Sequence, residues 1–127
     1  KLLDILLSNG FTPVICVPII DENNFAINSE NDEIISVLQS ELHADTVINL
    51  IEAPGFLADK DNEASVVGRL SCTDIIKKEN SSEGRMKRKM HAVRKMLENG
   101  SCRIIISDGR VANPIKNALA GNGTVVE

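Results

Sequence analysis

Residues 81–97 read SSEGRMKRKMHAVRKML. Met86, Met90, Val93 and Leu97 recur at i, i+4, i+7 and i+11, the spacing that lines up one face of an α-helix. That face is long enough to dock on a sheet. The start of the same helix is of another kind. Gly84 allows close approach of the backbone, and Arg85, Lys87, Arg88 and Lys89 crowd the first two turns. Cations oppose the macrodipole at a helix N-terminus, where an acidic side chain would be favoured by up to about 1 kcal/mol. A solvated basic face is the plain explanation of such a cluster. A glycine entry, free N–H groups and clustered positive charge are also what an anion against a helix start requires.

Downstream of this helix, Asn99-Gly100 is a stop signal and residues 102–107 (CRIIIS) form a buried strand turned by Asp108-Gly109. Asn113 and Pro114 supply the N-cap and first position of a helix to about Ala120. Gly121-Asn122-Gly123 then turns into a last strand, Thr124–Val126. Upstream, residues 73–79 fit a short helix, 66–70 a short strand and 56–65 a polar loop. Thr46–Ile51 (TVINLI) is a second buried strand, broken sharply by Glu52-Ala53-Pro54-Gly55. Ile34, Ile35, Leu38 and Leu42 share one side of a helix. Ser29 caps its start, with Asp32 and Glu33 in the first turn. Residues 14–20 (VICVPII) read as a parallel strand buried on both faces, ended or kinked by Pro18 and followed by turn chemistry at 21–24. Residues 1–9 read as the end of an amphipathic helix closed by Gly10. With no N-cap or initiator Met at the start and a strand-like run at the end, the sequence reads as a piece of a longer protein.

Strands alternating with helices predict an α/β domain with a mostly parallel sheet sandwiched between helices. In such sheets ligands bind beyond the carboxyl ends of the strands. Three loops fall on that edge: 21–32, 52–57 and 108–111.

The 127 residues, 43% apolar and 25% charged, are one domain's worth of material with enough apolar content for a core. The formal net charge is −4, so the basic cluster is a local feature of an acidic protein and bulk nucleic-acid binding is not suggested. Phe11, Phe25 and Phe56 are the sole aromatic residues, which leaves little for base stacking. Cys16, Cys72 and Cys102 are isolated and odd in number. They fit neither a disulfide framework nor a zinc spacing, and read as reduced small hydrophobes of a cytoplasmic protein. No apolar run approaches the roughly 18 residues of a membrane span, and no signal peptide opens the sequence.

Neither a GxxxxGK[ST] loop nor a GxGxxG after a strand is present, so a nucleotide site here is of another kind. Asn28 and Asp32 stand four apart at a strand end and a helix start. Plain N-capping accounts for Ser29 and leaves the pair unexplained. On a functional reading Asn28 holds a carboxylate or amide of a substrate, and Asp32 orients a lysine ammonium. Lys89 is by default solvent-exposed. Its functional reading is a phosphate clamp, since phosphoryl transfer depends on positioning and charge stabilisation. His43 and His91 are isolated and read as surface residues, and no Ser/His/Asp or Cys/His set exists.

Residues 25–34 (FAINSENDEI), 50–57 (LIEAPGFL), 83–90 (EGRMKRKM) and 107–115 (SDGRVANPI) together resemble the amino acid kinase family, in particular its N-acetylglutamate kinase-like members. The resemblance runs over nearly the whole chain and matches the carboxyl-terminal, nucleotide-binding half of such an enzyme, with a carbamate kinase-like fold. It implies that Asn28 contacts an acylated amino acid and that Asp32 organises the catalytic lysines. The family's Met-x-x-Lys falls on Met86 and Lys89, which makes Lys89 a catalytic lysine. The Pro-Gly loop that binds ATP falls on Glu52, Ala53, Pro54, Gly55, Phe56 and Leu57, with Ser81, Ser82, Glu83 and Met86 as further nucleotide contacts. Two positions depart from the pattern: Gly84-Arg85 stands for the usual Gly-Gly, and Glu52 for the usual Asp. The GRMKRK string and the NPIxxALxGxGTVV ending look most like the branch acting on aminoadipate or glutamate attached to a small acidic amino-group carrier protein. Basic residues near the site suit such a carrier by electrostatic complementarity.

The activity implied is ATP-dependent phosphorylation of the side-chain carboxylate of an N-acylated glutamate or aminoadipate, in arginine or lysine biosynthesis. Mg²⁺ accompanies ATP, and no metal is held by the protein itself. The resemblance further implies a cytoplasmic homodimer without nucleic-acid or membrane partners. The family's Gly-rich phosphate loop, its second lysine and most of its substrate lid have no counterpart in these residues, so the chain alone is expected to be inactive. The alternative is a nucleotide- or amino-acid-binding regulatory module without catalysis.

Overall fold

The computed structural model describes residues 1–100 and 102–127, Arg85 by its backbone alone. In chain order the elements are α1 (Leu2–Ser8), β1 (Ile19–Ile20), β2 (Ala26–Ile27), α2 (Asn31–Leu42), β3 (Thr46–Ile51), a 3-10 turn (Glu63–Ser65), β4 (Arg69–Leu70), α3 (Cys72–Ser81), α4 (Gly84–Glu98), β5 (Arg103–Asp108), α5 (Pro114–Leu119) and β6 (Thr124–Val126).

Four strands form one sheet in the order β3–β5–β6–β4. β3 and β5 run parallel from Thr46↔Arg103 to Ile51↔Asp108, and β4 runs parallel to β6. β5 and β6 meet antiparallel, Ile106 opposite Thr124, so the sheet is mostly parallel as the alternation of elements predicts, with one antiparallel pairing of three. Chain length explains the reversal. α5 has six residues and is therefore about 9 Å long, too short to return the chain to the foot of a strand of about 20 Å. β6 consequently starts beside the end of β5 and runs back down.

Alternation along β5 serves two layers. Ile104 and Ile106 join Met90, Val93 and Met96 of α4, Ile75 of α3, and Leu70 and Val126 in one core cluster. Ile105 is also fully buried and points to the opposite face, where α5 packs on β5 and β3. α4 lies between α2 and α3, in contact with both. β3 is paired on one side alone among the described residues, and Leu50 next to that open edge is 41% exposed.

The stretch 81–97 is not a single helix. α3 ends at Ser81, Ser82 and Glu83 are extended, and α4 begins at Gly84. Gly84 has φ 57, the left-handed region that costs a non-glycine residue about 1 kcal/mol or more. The result is an antiparallel α3–α4 hairpin. Met90 and Val93 are buried as the spacing predicts, together with Ala92 and Met96, whereas Met86 is 45% exposed in the first turn at the free end of the hairpin.

Two further expectations are corrected. Residues 14–20 do not form a buried parallel strand: Val14 is 91% exposed, and only Ile19–Ile20 pairs, antiparallel to Ala26–Ile27 in a separate ribbon. Pro13 and Pro18 remove backbone donors from the run. The ribbon is set by Asp21, whose Oδ1 accepts from the N–H groups of Asn23 and Phe25 at 2.9 and 2.8 Å. The N-cap of α2 is Glu30, not Ser29, and no side chain caps it. Asp32 and Glu33 in its first turn complement the helix dipole instead. Among the described residues no helix is long and apolar enough to cross a membrane.

Because Met90 is fully buried at the centre of the cluster, Met90→Ala should destabilise the chain by about 3 kcal/mol, measured by urea unfolding.

Candidate functional site

The direction of the helices builds the site. α2 leads through residues 43–45 into β3, and α4 leads through residues 99–102 into β5. A helix joined so briefly to the strand beneath it runs antiparallel to that strand, so both helix N-termini come to the carboxyl edge of β3 and β5. α2 brings carboxylates there and α4 brings cations. Lys89 Nζ donates to Asp32 Oδ1 at 2.9 Å, with side chains 29% and 26% exposed. One position earlier on α4, Arg88 Nη1 donates to Glu30 Oε1 at 2.6 Å on the open surface. Lys87 has no carboxylate within 4.0 Å among the described residues, and the side chain of Arg85 lies outside them. The ammonium of Lys89 has three donors and spends one on Asp32, the sole hydrogen-bond partner it has among the described residues.

The loop 52–57 lies on the same edge. It follows β3 directly, and the N–H of Gly109, just past β5, donates to Ile51 O at 2.8 Å. Gly55 is buried: a Cβ there would stand 2.9 Å from Thr124 Oγ1 and 3.0 Å from Val66 Cγ1, so the backbone approaches β6 as no larger residue allows. The N–H of Phe56 donates to Thr124 Oγ1 at 2.7 Å. The Phe56 ring packs on the core cluster, and Lys78 Nζ sits 4.2 Å from its centroid, within cation–π range. Lys78 lies one turn before Ser81, so this contact brings the upper end of α3 to the loop. Ser81 ends α3, and Ser82 and Glu83 form the extended break before α4, followed by the exposed Met86. Glu52 is exposed on this edge. Asn28 is exposed between β2 and α2, without a side-chain hydrogen bond among the described residues.

Two charge networks brace this arrangement, and neither is legible in the sequence because each joins segments that only the fold brings together. Arg110 forks onto Asp108 through Nε and Nη2 at 2.9 and 2.8 Å and reaches Glu63 through Nη1 at 2.9 Å. Its hydrogen bonds hold the Asp108 carboxyl below the usual range. On the other side of the sheet, Glu79 of α3 accepts from Arg94 Nε at 2.6 Å and stands 2.8 Å from His91 Nδ1, both on α4. Arg94 also donates to Glu98 at 2.6 Å. The Arg94 guanidinium first, and His91 second, bring the Glu79 carboxyl down to about 2. His91, isolated in sequence, is therefore part of a helix clamp. A cleft of about 920 Å³ lies between α2 and α4, lined by Asp32, Glu33, Lys87, Lys89, His91 and Lys95 among others. No residue of the 52–57 loop lines it.

Among the described residues no group of three or more His, Cys, Asp or Glu is placed to hold a metal ion. A magnesium ion carried on nucleotide phosphates keeps several waters and takes one or two carboxylates from a protein.

Residues 1–108 match the amino acid kinase family, and the chain belongs to that family. It is 39% identical over 98% of its length to a [LysW]-aminoadipate kinase of Thermus thermophilus, of which it covers 47%. It is 27% identical over 90% of its length to an acetylglutamate kinase of Brachyspira hyodysenteriae, covering 40% of that protein. Among solved structures, the Streptococcus mutans protein smu.665 superposes with a TM-score of 0.76 at 16% identity, over 98% of this chain and 46% of that one, a likeness of fold. The chain spans about half the length of the curated relatives it matches.

The Glu79 clamp makes an acid-range prediction. Its folded carboxyl, at about 2, lies below the ordinary 4.5. The stability it contributes is therefore complete above about pH 4.5 and is lost as pH falls from there toward 2. Thermal unfolding from about pH 5 down to about pH 3 should show a steeper fall in Tm for the unmodified chain than for Glu79→Gln. Parallel curves would mean that Glu79 carries none of the acid sensitivity.

Proposed function

We propose that this chain is the ATP-binding half of a kinase that phosphorylates the side-chain carboxylate of an N-acylated glutamate or aminoadipate. The observation that carries the reading is the partly buried Lys89–Asp32 pair at the starts of α4 and α2, where Asp32 takes one donor of the ammonium.

In the reaction a carboxylate oxygen of the substrate attacks the γ-phosphorus of ATP. The bond between that phosphorus and the bridging oxygen breaks, leaving ADP and an acyl phosphate. Lys89 holds the oxygens of the transferring group, on which charge concentrates as the bridging bond opens. The N–H groups at the start of α4 favour the same anion. Asp32 keeps the lysine aimed, and Asn28 orients the substrate. Residues 52–57 and 81–83, with Met86, hold the nucleotide. Mg²⁺ bound to the triphosphate supplies neutralisation of its charge. The remaining half of the protein contributes the Gly-rich loop and the second cation, so this chain alone does not turn over.

The substrate is best read as carrier-linked. The relative from Thermus thermophilus is named for an aminoadipate on LysW, and Lys87, unpaired among the described residues, lies with Arg88 and Lys89 at the start of α4. Reversing Lys87 and Arg88 to Glu in the full-length protein should weaken binding of an acidic carrier and flatten its salt dependence. Turnover of a free acylated amino acid should stay within about twofold. Equal loss with both substrates would assign these charges to the phosphates.

The decisive experiment is Lys89→Met in the full-length protein. One long unbranched side chain replaces another, so the fold is retained, and kcat should fall on the order of a hundredfold or more. Asp32→Asn should also lower kcat, and the double variant should lose less than the product of the two effects. Near-normal kcat in Lys89→Met would make the ammonium a surface charge. Binding of Mg-ATP with no phosphoryl transfer by the full-length protein would favour a regulatory module.

A further inference from the structure

The buried hydroxyl of Thr124 has no part in the chemistry above. It stands at the start of β6, a strand that otherwise consists of Val125 and Val126, and Thr124 is fully buried. Valine has the same shape, an equal preference for strands and no polar atom to bury. Burying a hydroxyl is unfavourable unless it is hydrogen-bonded. What the hydroxyl does here is accept the backbone N–H of Phe56 at 2.7 Å, across 68 positions of sequence. Gly55 lies against the same oxygen with no room for a Cβ. Thr124 itself is fixed, paired with Ile106 on β5. The Phe56 side chain is held as well, by the core on one side and by Lys78 on the other. The far side of the loop is held by residues 65–67, where the N–H of Val67 donates to Phe56 O at 2.8 Å, so Thr124 Oγ1 is the attachment of the Gly55–Phe56 peptide to β6.

We propose that Thr124 is a positioning residue for nucleotide binding, its Oγ1 fixing the Gly55–Phe56 peptide so that the loop 52–57 keeps the shape that receives ATP. The inference rests on the reading of that loop as part of the nucleotide site. Thr124 is fully buried and offers a ligand no surface of its own. It acts through Phe56 and leaves the Lys89–Asp32 pair undisturbed, so its loss bears on ATP binding more than on phosphoryl transfer.

The test uses the full-length protein with Thr124→Val, which deletes the acceptor at constant volume, and Thr124→Ser, which keeps it. Initial rates with ATP varied should show KM for ATP raised roughly fivefold in Thr124→Val, the worth of one lost hydrogen bond. Its kcat should stay within about twofold, and Thr124→Ser should restore the KM to within about twofold. Should Thr124→Val not accumulate as folded protein, Thr124→Ala must show the same split between KM and kcat. An unchanged KM for ATP alongside a lowered Tm would overturn the proposal and leave Thr124 a structural residue. A KM raised equally for ATP and for the acylated substrate would overturn it too. Hydrogen exchange at the Phe56 amide in the unmodified protein separates this failure from that of the underlying reading. If Mg-ATP leaves exchange throughout 52–57 unaltered, the loop is not a nucleotide site, whatever the variants do.

Discussion

The parallel pairing of β3 with β5 is the constraint on which the remaining structure depends. Six residues on each strand are held in step, and both strands are entered from a helix through a short connection. Those two facts fix the directions of α2 and α4, and with them the edge at which their N-termini meet. Neither helix start is otherwise drawn to the other, and only one of them carries charges that suit its own dipole. Asp32 and Glu33 are favourable on α2, while Lys87, Arg88 and Lys89 are unfavourable on α4. Meeting at one edge gives Lys89 and Arg88 of the unfavourable set carboxylate partners at the start of α2, Asp32 and Glu30.

Magnitude decides what such pairs accomplish. Arg88–Glu30 is exposed on both sides, and pairs of that kind contribute about 0–1 kcal/mol. Lys89–Asp32 is less exposed and less screened, yet its net effect on stability is still limited by desolvation. The core cluster beneath the helices, with Met90, Val93, Met96, Ile104 and Ile106 all buried, is what holds α4 in place. The ion pair then determines where one ammonium points. Stability and aim come from different parts of the same helix, so a substitution at Lys89 can abolish one and spare the other.

Much of this was legible in the sequence wherever a single element sufficed. The runs TVINLI and CRIIIS are β3 and, shifted by one residue, β5. Gly121-Asn122-Gly123 does lead into Thr124–Val126, and the Met90–Val93 face is buried. Periodicity and turn chemistry act locally, and local signals are what a sequence displays. The misreadings are those in which distant parts decide. The run 14–20 is apolar enough for a central strand, but among the described residues it pairs only through Ile19–Ile20, with Ala26–Ile27. The antiparallel seating of β6, within a sheet that is otherwise parallel as expected, depends on how far α5 reaches. At the site, the family resemblance links Asp32 to the catalytic lysines, and although they lie 57 positions apart Asp32 and Lys89 make a direct contact. Thr124, Lys78 and the Glu79–Arg94 clamp carried no signal, because a threonine in a strand and charges on a helix are ordinary until the opposing segment is known.

The open side of β3 has a consequence for handling the protein. TVINLI is six residues with strong strand preference and no charge, proline or glycine, the composition from which stacked, self-complementary sheets are made. Natural edge strands are guarded by lysines, bulges or a covering segment, and among the described residues no strand pairs with the outer side of β3. Whatever else it does, any segment that lies along this edge in the cell protects the chain from itself. Left without such cover, that edge is a template for edge-to-edge association between copies of the chain.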